Sequence, residues 1–153
     1  MRLTSTAFSD GSAIPIKIYL RRRHDISPPL DWSNPPEGAL SFVLLCDDPD
    51  APAGTWHHWA AYDIPAQQTS LAEGASQQAA QRTFKQAIND FQRTGYGGPC
   101  PPRDHGLHHY RFRLLALSID SLSTGKGASC RDIERKARKH VLAETTLVGV
   151  YER

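Results

Sequence analysis

Residues 40–46 read LSFVLLC, an uncharged run followed at once by Asp47, Asp48 and Asp50. A continuous apolar stretch of this kind is what a strand covered on both faces looks like. Two further strands are read downstream. Trp56–Ile64 is mostly apolar. In Tyr110–Leu117, Tyr110, Phe112, Leu114 and Ala116 alternate against Arg111, Arg113 and Leu115, the period of two expected of a strand. Nearer the start, Leu3–Phe8 and Ile14–Leu20 read as strands. In the second, Ile14, Ile16, Ile18 and Leu20 alternate with Pro15, Lys17 and Tyr19, and Pro15 suits an edge or first-strand position. Thr145–Tyr151 alternates weakly and reads as the last strand.

One segment, 129–142, reads as a helix. Ser129 is placed to cap it, with Asp132 standing in for the usual capping-box Glu. Cys130, Ile133, Ala137 and Val141 recur at spacings of three, four and four, so they share a face. Arg131, Glu134, Arg135, Arg138 and Lys139 hold the other face, with Glu134 and Arg138 at the supportive i,i+4 distance. This pattern fits an amphipathic cover over a sheet better than a basic docking helix. The eleven Gly and eleven Pro fall mostly between the short apolar runs, as turns do. The expectation is a mainly β, largely antiparallel domain with helical decoration, spanning 1–153 as one unit.

With 39% apolar residues, 22% charged residues and a net charge of +2, the chain is not a disordered polyelectrolyte. No window approaches the roughly 18 apolar residues of a membrane span. Met1–Ser12 lacks the apolar core of an export signal. Cys46, Cys100 and Cys130 are odd in number and form no CxxC, which fits a reducing cytoplasm and argues against disulfides or a thiolate zinc site. Charge is uneven: residues 24–81 hold eight acids and no Lys or Arg, while 82–153 carry a net +6. The basic runs, Arg21–Arg23 and Arg131–Lys139, lack the aromatic interleaving of a nucleic-acid face and read as solvated surface.

Chemistry-bearing residues gather in two segments. Five of the seven histidines lie in DDPDAPAGTWHHW (47–59) and GYGGPCPPRDHGLHHY (95–110), each beside a candidate strand. Such loops between buried strands are where sites are built. Prolines 99, 101 and 102 stiffen the second loop, and its glycines free the remaining amides to converge on an anion. Asp48 and Asp50 flank Pro49 and point to opposite sides. His57 and His58 do the same on their strand, while His108 and Tyr110 share a face that excludes His109. One Asp, one of the paired histidines, His108 and Tyr110 therefore make a minimal constellation. It could ligate a metal, pair Cys100 with His108 as a nucleophile, or bind an anion through imidazolium, phenol and amide donors. Only the anion site uses every member, and no ligand spacing such as HExxH supports a metal.

The motifs DISPPLDW (25–32), LLCDDPDAP (44–52), HHW (57–59), GYGGPCPP (95–102), HHY (108–110) and HVLAETTLVGVYER (140–153) resemble the phosphatidylethanolamine-binding proteins. That family includes Raf kinase inhibitor proteins, and the likeness is closest to its short bacterial branch. The resemblance implies an antiparallel β-sandwich with a small pocket for phosphate, phospho-head groups or nucleotides. It implies Asp48, Pro52, His58, Gly98, His108 and Tyr110 as pocket residues, with Asp50, Trp59, Pro99 and Pro101 in support. Two departures stand out: His109 replaces the family's usual Arg, and Asp104–His105 lengthens the loop before it.

The resulting expectation is a cytoplasmic, non-enzymatic binding protein without cofactor or metal. Its ligand is a small phosphorylated molecule or phosphate, and a kinase or other signalling partner is regulated. A homodimer is compatible with the sequence; nucleic acid and a membrane span are not expected. The alternatives are a hydrolase using His108 with a metal or Cys100, and a protease or kinase inhibitor acting through its surface.

Overall fold

The computed structural model describes residues 1–15 and 25–153. Strand β4 (Ser41–Asp48) lies inside a six-stranded sheet and is paired antiparallel on both sides, to β5 (Trp56–Pro65) and β8 (His108–Leu117). Every residue of β4 is buried, as its unbroken apolar run requires. The sheet continues from β8 to β9 (Val141–Tyr151) and the short β2 (Ser12–Ala13), and from β5 to β7 (Lys85–Gln86). All of these pairings are antiparallel except β2 with β9. A second sheet of three strands, β1 (Arg2–Thr4), β3 (Leu30–Ser33) and β6 (Ser70–Leu71), lies over the first.

The strand period sorts the core onto two faces. Phe42, Leu44 and Cys46 of β4, with Tyr110, Phe112 and Leu114 of β8, point to the front and pack with Leu3, Leu30, Trp32 and Leu71 of the small sheet. Val43, Leu45 and Leu115 point to the back and meet Cys130, Ile133 and Ala137 of helix α1 (Cys130–Ala137). Each such side chain fully removed from water contributes about 1.5–3 kcal/mol. The helix thus covers the sheet with the face expected of it.

Its N-terminus carries the full capping box: Ser129 Oγ accepts from the Asp132 amide, and Asp132 accepts from the Ser129 amide at 3.2 Å. The α-helix ends earlier than the expected 142. Residues Arg138–His140 tighten into a 3₁₀ turn, and Val141 already pairs with Leu117 as the first residue of β9. The last strand therefore starts four residues before Thr145, because the neighbouring strand offers it a full ladder.

Other boundaries move for similar reasons. The first strand stops at Thr4 rather than running to Phe8. There the chain turns, with Ser5 Oγ donating to the Pro29 carbonyl at 2.6 Å and accepting from the Ala7 amide. Phe8 instead drops into the core against Phe112, ring centroids 5.7 Å apart. Of the expected strand Ile14–Leu20, Ile14 and Pro15 follow β2 without belonging to it. The remainder, and the Arg21–Arg23 run, lie outside the described residues.

Gly149 sits where β9 passes beneath the N-terminal segment. A Cβ there would stand 2.3 Å from Ile14 Cγ1 and 3.0 Å from Phe8 Cε2. Gly149→Ala should therefore lower the urea unfolding midpoint, by about 1–3 kcal/mol of overpacking. An unchanged midpoint would show that this contact is not close-packed.

Candidate functional site

The carboxyl end of β4 and the start of β8 meet through their side chains. Asp48 Oδ2 accepts from His108 Nδ1 at 2.6 Å, with both groups almost wholly buried. The other Asp48 oxygen accepts the Asp50 amide at 2.8 Å, which folds the DPD segment into a tight turn. Asp50 then points outward, where its Oδ2 accepts from both the amide and Nδ1 of His109 at 2.8 Å. Burial alone would raise the Asp50 carboxyl, but these hydrogen bonds outweigh it and hold it below its ordinary value. The two carboxylates take opposite sides, as expected, but the turn is the cause: continued strand alternation would put positions 48 and 50 on one face. His109 is the outer clamp rather than a pocket residue.

The choice between His57 and His58 comes from a bulge. Cys46 pairs with Trp59 but Asp47 pairs with His57, so His58 is an extra residue on β5. Without it, strict alternation from the front-facing Trp59 would send His58 to the back. The bulge re-aims it to the front. His57 faces the back, 3.3 Å from Asp90 and 3.7 Å from Glu134. The His58 ring stands edge-on to Tyr110, centroids 5.3 Å apart, and its Nδ1 donates to the Gly97 carbonyl at 2.7 Å. Nε2 is thereby left as the nitrogen available to the cavity. Burial holds the His58 imidazole below its ordinary value, although the Gly97 backbone and the Asp48 charge pull the other way.

These residues ring a cavity of about 190 Å³ whose wall also includes Pro52, Trp56, Phe91, Cys100 and Pro101. Two buried polar atoms of that wall have no hydrogen-bond partner: the Tyr110 hydroxyl and the Trp56 indole nitrogen. Burial, and then the Asp48 charge, drive the Tyr110 phenol far upward, so it remains a donor at any ordinary pH. A larger cleft of about 440 Å³ lies on the back face, lined by Arg111, Arg113, Arg131 and Arg135. Volume does not favour it as a site, because those arginines already have partners: Asp47 and Glu134, the Thr55 carbonyl, and Asp132.

Of the residues expected in the pocket, Asp48, Pro52, His58, His108 and Tyr110 are brought together, and Pro101, expected in support, joins the wall. Gly98 is a correction. Its amide donates to Asp25 at 3.1 Å instead of facing the cavity, so the loop is held from behind and is not an open nest of amides. Pro99 lies outside the wall. Trp59 lies in the core outside the wall, its indole donating to Gln86 at 2.7 Å. The Cys100–His108 dyad of the alternative reading is not formed: Cys100 Sγ accepts from Arg153 at 3.3 Å, while both His108 nitrogens have other partners. Among the described residues, no three His, Cys, Asp or Glu side chains are arranged to hold a metal ion. Trp56 and Phe91 were not anticipated. Trp56 could have been found, since it stands two residues before His58 in a strand.

Residues 4–152 match the model of the phosphatidylethanolamine-binding protein family. The chain belongs to this family. It is 48% identical over its whole length to a UPF0098 protein of Aquifex aeolicus, covering 89% of that protein. A UPF0098 protein of Pyrococcus horikoshii is 42% identical, with 97% of this chain and 75% of the relative aligned. Escherichia coli YbcL, described as a new member of the mammalian family, superposes with a TM-score of 0.92 at 31% identity, over 99% of this chain and 98% of YbcL. A homolog from Chlamydia trachomatis gives 0.86 at 38% identity, over 99% and 96% of the two chains. Among the described residues, no helix is long and apolar enough to cross a membrane.

The depressed His58 imidazole has a consequence for stability. A histidine kept neutral by the fold costs nothing above its unfolded-state value, but below about 6.5 the unfolded chain gains a proton that the folded chain resists. Stability should fall as pH drops from about 7 toward 5, and His58→Asn should fall less steeply. Urea midpoints across that range check it; parallel slopes would contradict the assignment.

Proposed function

We propose that this protein is a non-enzymatic binding protein of the cytoplasm whose pocket captures a phosphate-like anion, free or as the head of a phosphorylated ligand. The observation that carries this reading is the pair of unpartnered buried donors, Tyr110 Oη and Trp56 Nε1, bordering one cavity with His58. A buried donor without an acceptor costs about 1–3 kcal/mol, and an anion's oxygens remove that cost. The apolar wall of Pro52, Phe91 and Pro101 strengthens each charge-assisted bond by excluding water. The Asp48 carboxylate does not repel the guest as a bare charge would, because His108 and the Asp50 amide occupy both of its oxygens.

His58 contributes the pH dependence. With Nδ1–H tied to Gly97, Nε2 meets a phosphoryl oxygen through one shared proton, held by the imidazole or by the ligand. Binding a fully ionised phosphate therefore takes up a proton, and affinity weakens as pH rises. Regulation of a kinase or other signalling partner belongs to the same reading, as a response to an occupied pocket.

Calorimetry with inorganic phosphate and phosphoethanolamine tests it. One site per chain is expected, with tighter binding near pH 5.5 than near pH 8.5. Tyr110→Phe should weaken binding roughly ten- to a hundredfold, the loss of one hydrogen bond to a charged acceptor. Equal affinity at both pH values would remove His58 from the mechanism, and an unaffected Tyr110→Phe would remove the pocket.

A further inference from the structure

His108 is held at both ends. Its Nδ1 donates to Asp48, and its Nε2 lies 2.7 Å from Nδ1 of His105, with ring centroids 5.0 Å apart. Because a carboxylate only accepts, the proton on Nδ1 is fixed. Nε2 then either accepts from the His105 ring or, when His108 is an imidazolium, donates to it. In neither state does a His108 nitrogen offer itself to the cavity that the ring lines.

The partner is not part of the scaffold. His105 is exposed and sits in the turn between Pro102 and His108. That turn is shaped by Asp104 and Gly106, both at positive φ, and tied down by the Asp104 amide donating to the Arg153 carbonyl at 3.0 Å. His108 is only 1% exposed. An exposed surface side chain thus closes off a polar atom at the edge of the pocket.

We propose that His105 is a binding-determining residue of the pocket, a surface cap on His108 Nε2 that an incoming anion must displace to reach that nitrogen. This rests on the reading of the pocket as an anion site. The displaced state has the better bond: once Nε2 carries a proton taken from the ligand or from solvent, its bond to a phosphate oxygen is charged on both sides, whereas ring nitrogen to ring nitrogen has at least one neutral side. The nearby carboxylates are already engaged. Asp48 is bound to Nδ1, and Asp50 is turned outward to His109. Tyr151 lies opposite His108 in the β8–β9 register, and Arg153 is engaged with Cys100. Removing the His105 ring should therefore help the ligand.

Two measurements on His105→Ala test this. Phosphate affinity by calorimetry should rise about three- to tenfold over the wild-type chain, the worth of the hydrogen bond no longer displaced. In the ligand-free protein, the nitrogen-15 resonance of His108 Nε2 should shift when His105 is replaced and stay put in His109→Ala. Unchanged or weaker phosphate binding by His105→Ala overturns the cap. If neither chain binds phosphate at any pH, the anion reading fails. The resonance then decides the cap alone, with an unmoved Nε2 signal overturning it.

Discussion

The buried contact between Asp48 and His108 organises this molecule's front edge. It joins the last residue of β4 to the first of β8, the two strands at the centre of the large sheet. A carboxylate so deeply buried survives only if both oxygens are satisfied, and they are, by an imidazole and a turn amide. Removing one member of such a pair typically costs about 3–5 kcal/mol, because the other is left buried and unpaired. The same carboxylate closes the DPD turn through its other oxygen and fixes the ring whose far nitrogen meets His105. Pocket shape and pocket electrostatics therefore have one origin.

The back face uses ions differently. Asp47, one residue before Asp48 and pointing the other way, accepts from Arg111 and Arg113, and Arg113 continues to Glu134 on α1. Glu134 also meets Arg138, and the His57 ring lies beside it. The His57 ring 3.7 Å away, and then the Arg113 hydrogen bond, outweigh burial and drive the Glu134 carboxyl far down. The basic residues of this segment are largely engaged within the fold: Arg131 with the Thr55 carbonyl, Arg135 with Asp132, Lys136 with the Ser123 carbonyl and Arg138 with Glu144. Adjacent aspartates thus serve the two faces separately, one for the pocket and one for the helix.

Much of this was legible in the chain. LSFVLLC announced a strand covered on both sides, and the alternation from Tyr110 to Leu117 sorted its side chains correctly between the faces. Ser129 and Asp132 marked the helix start. What escaped lies where periodicity has nothing to act on. Strands β2, β6 and β7 have two residues each, and β3 has four, too few to show a pattern. The front position of His58 depends on a bulge, a pairing offset that one strand's sequence does not carry. Gly98 is expected in the pocket from the family resemblance, and its loop, rich in Gly and Pro, suggests amide donors. Its amide goes instead to Asp25, a partner seventy-three residues away that no local reading could supply. The family resemblance settled the choice of His58 before the geometry did, and the bulge explains it.

The central claim is that unpartnered donors at the front pocket select an anion. A crystal structure of the protein soaked in phosphate tests it most directly. The account predicts one phosphate with oxygens within about 3 Å of Tyr110 Oη and His58 Nε2. An empty front pocket, with phosphate seated instead among the back-face arginines, would contradict it.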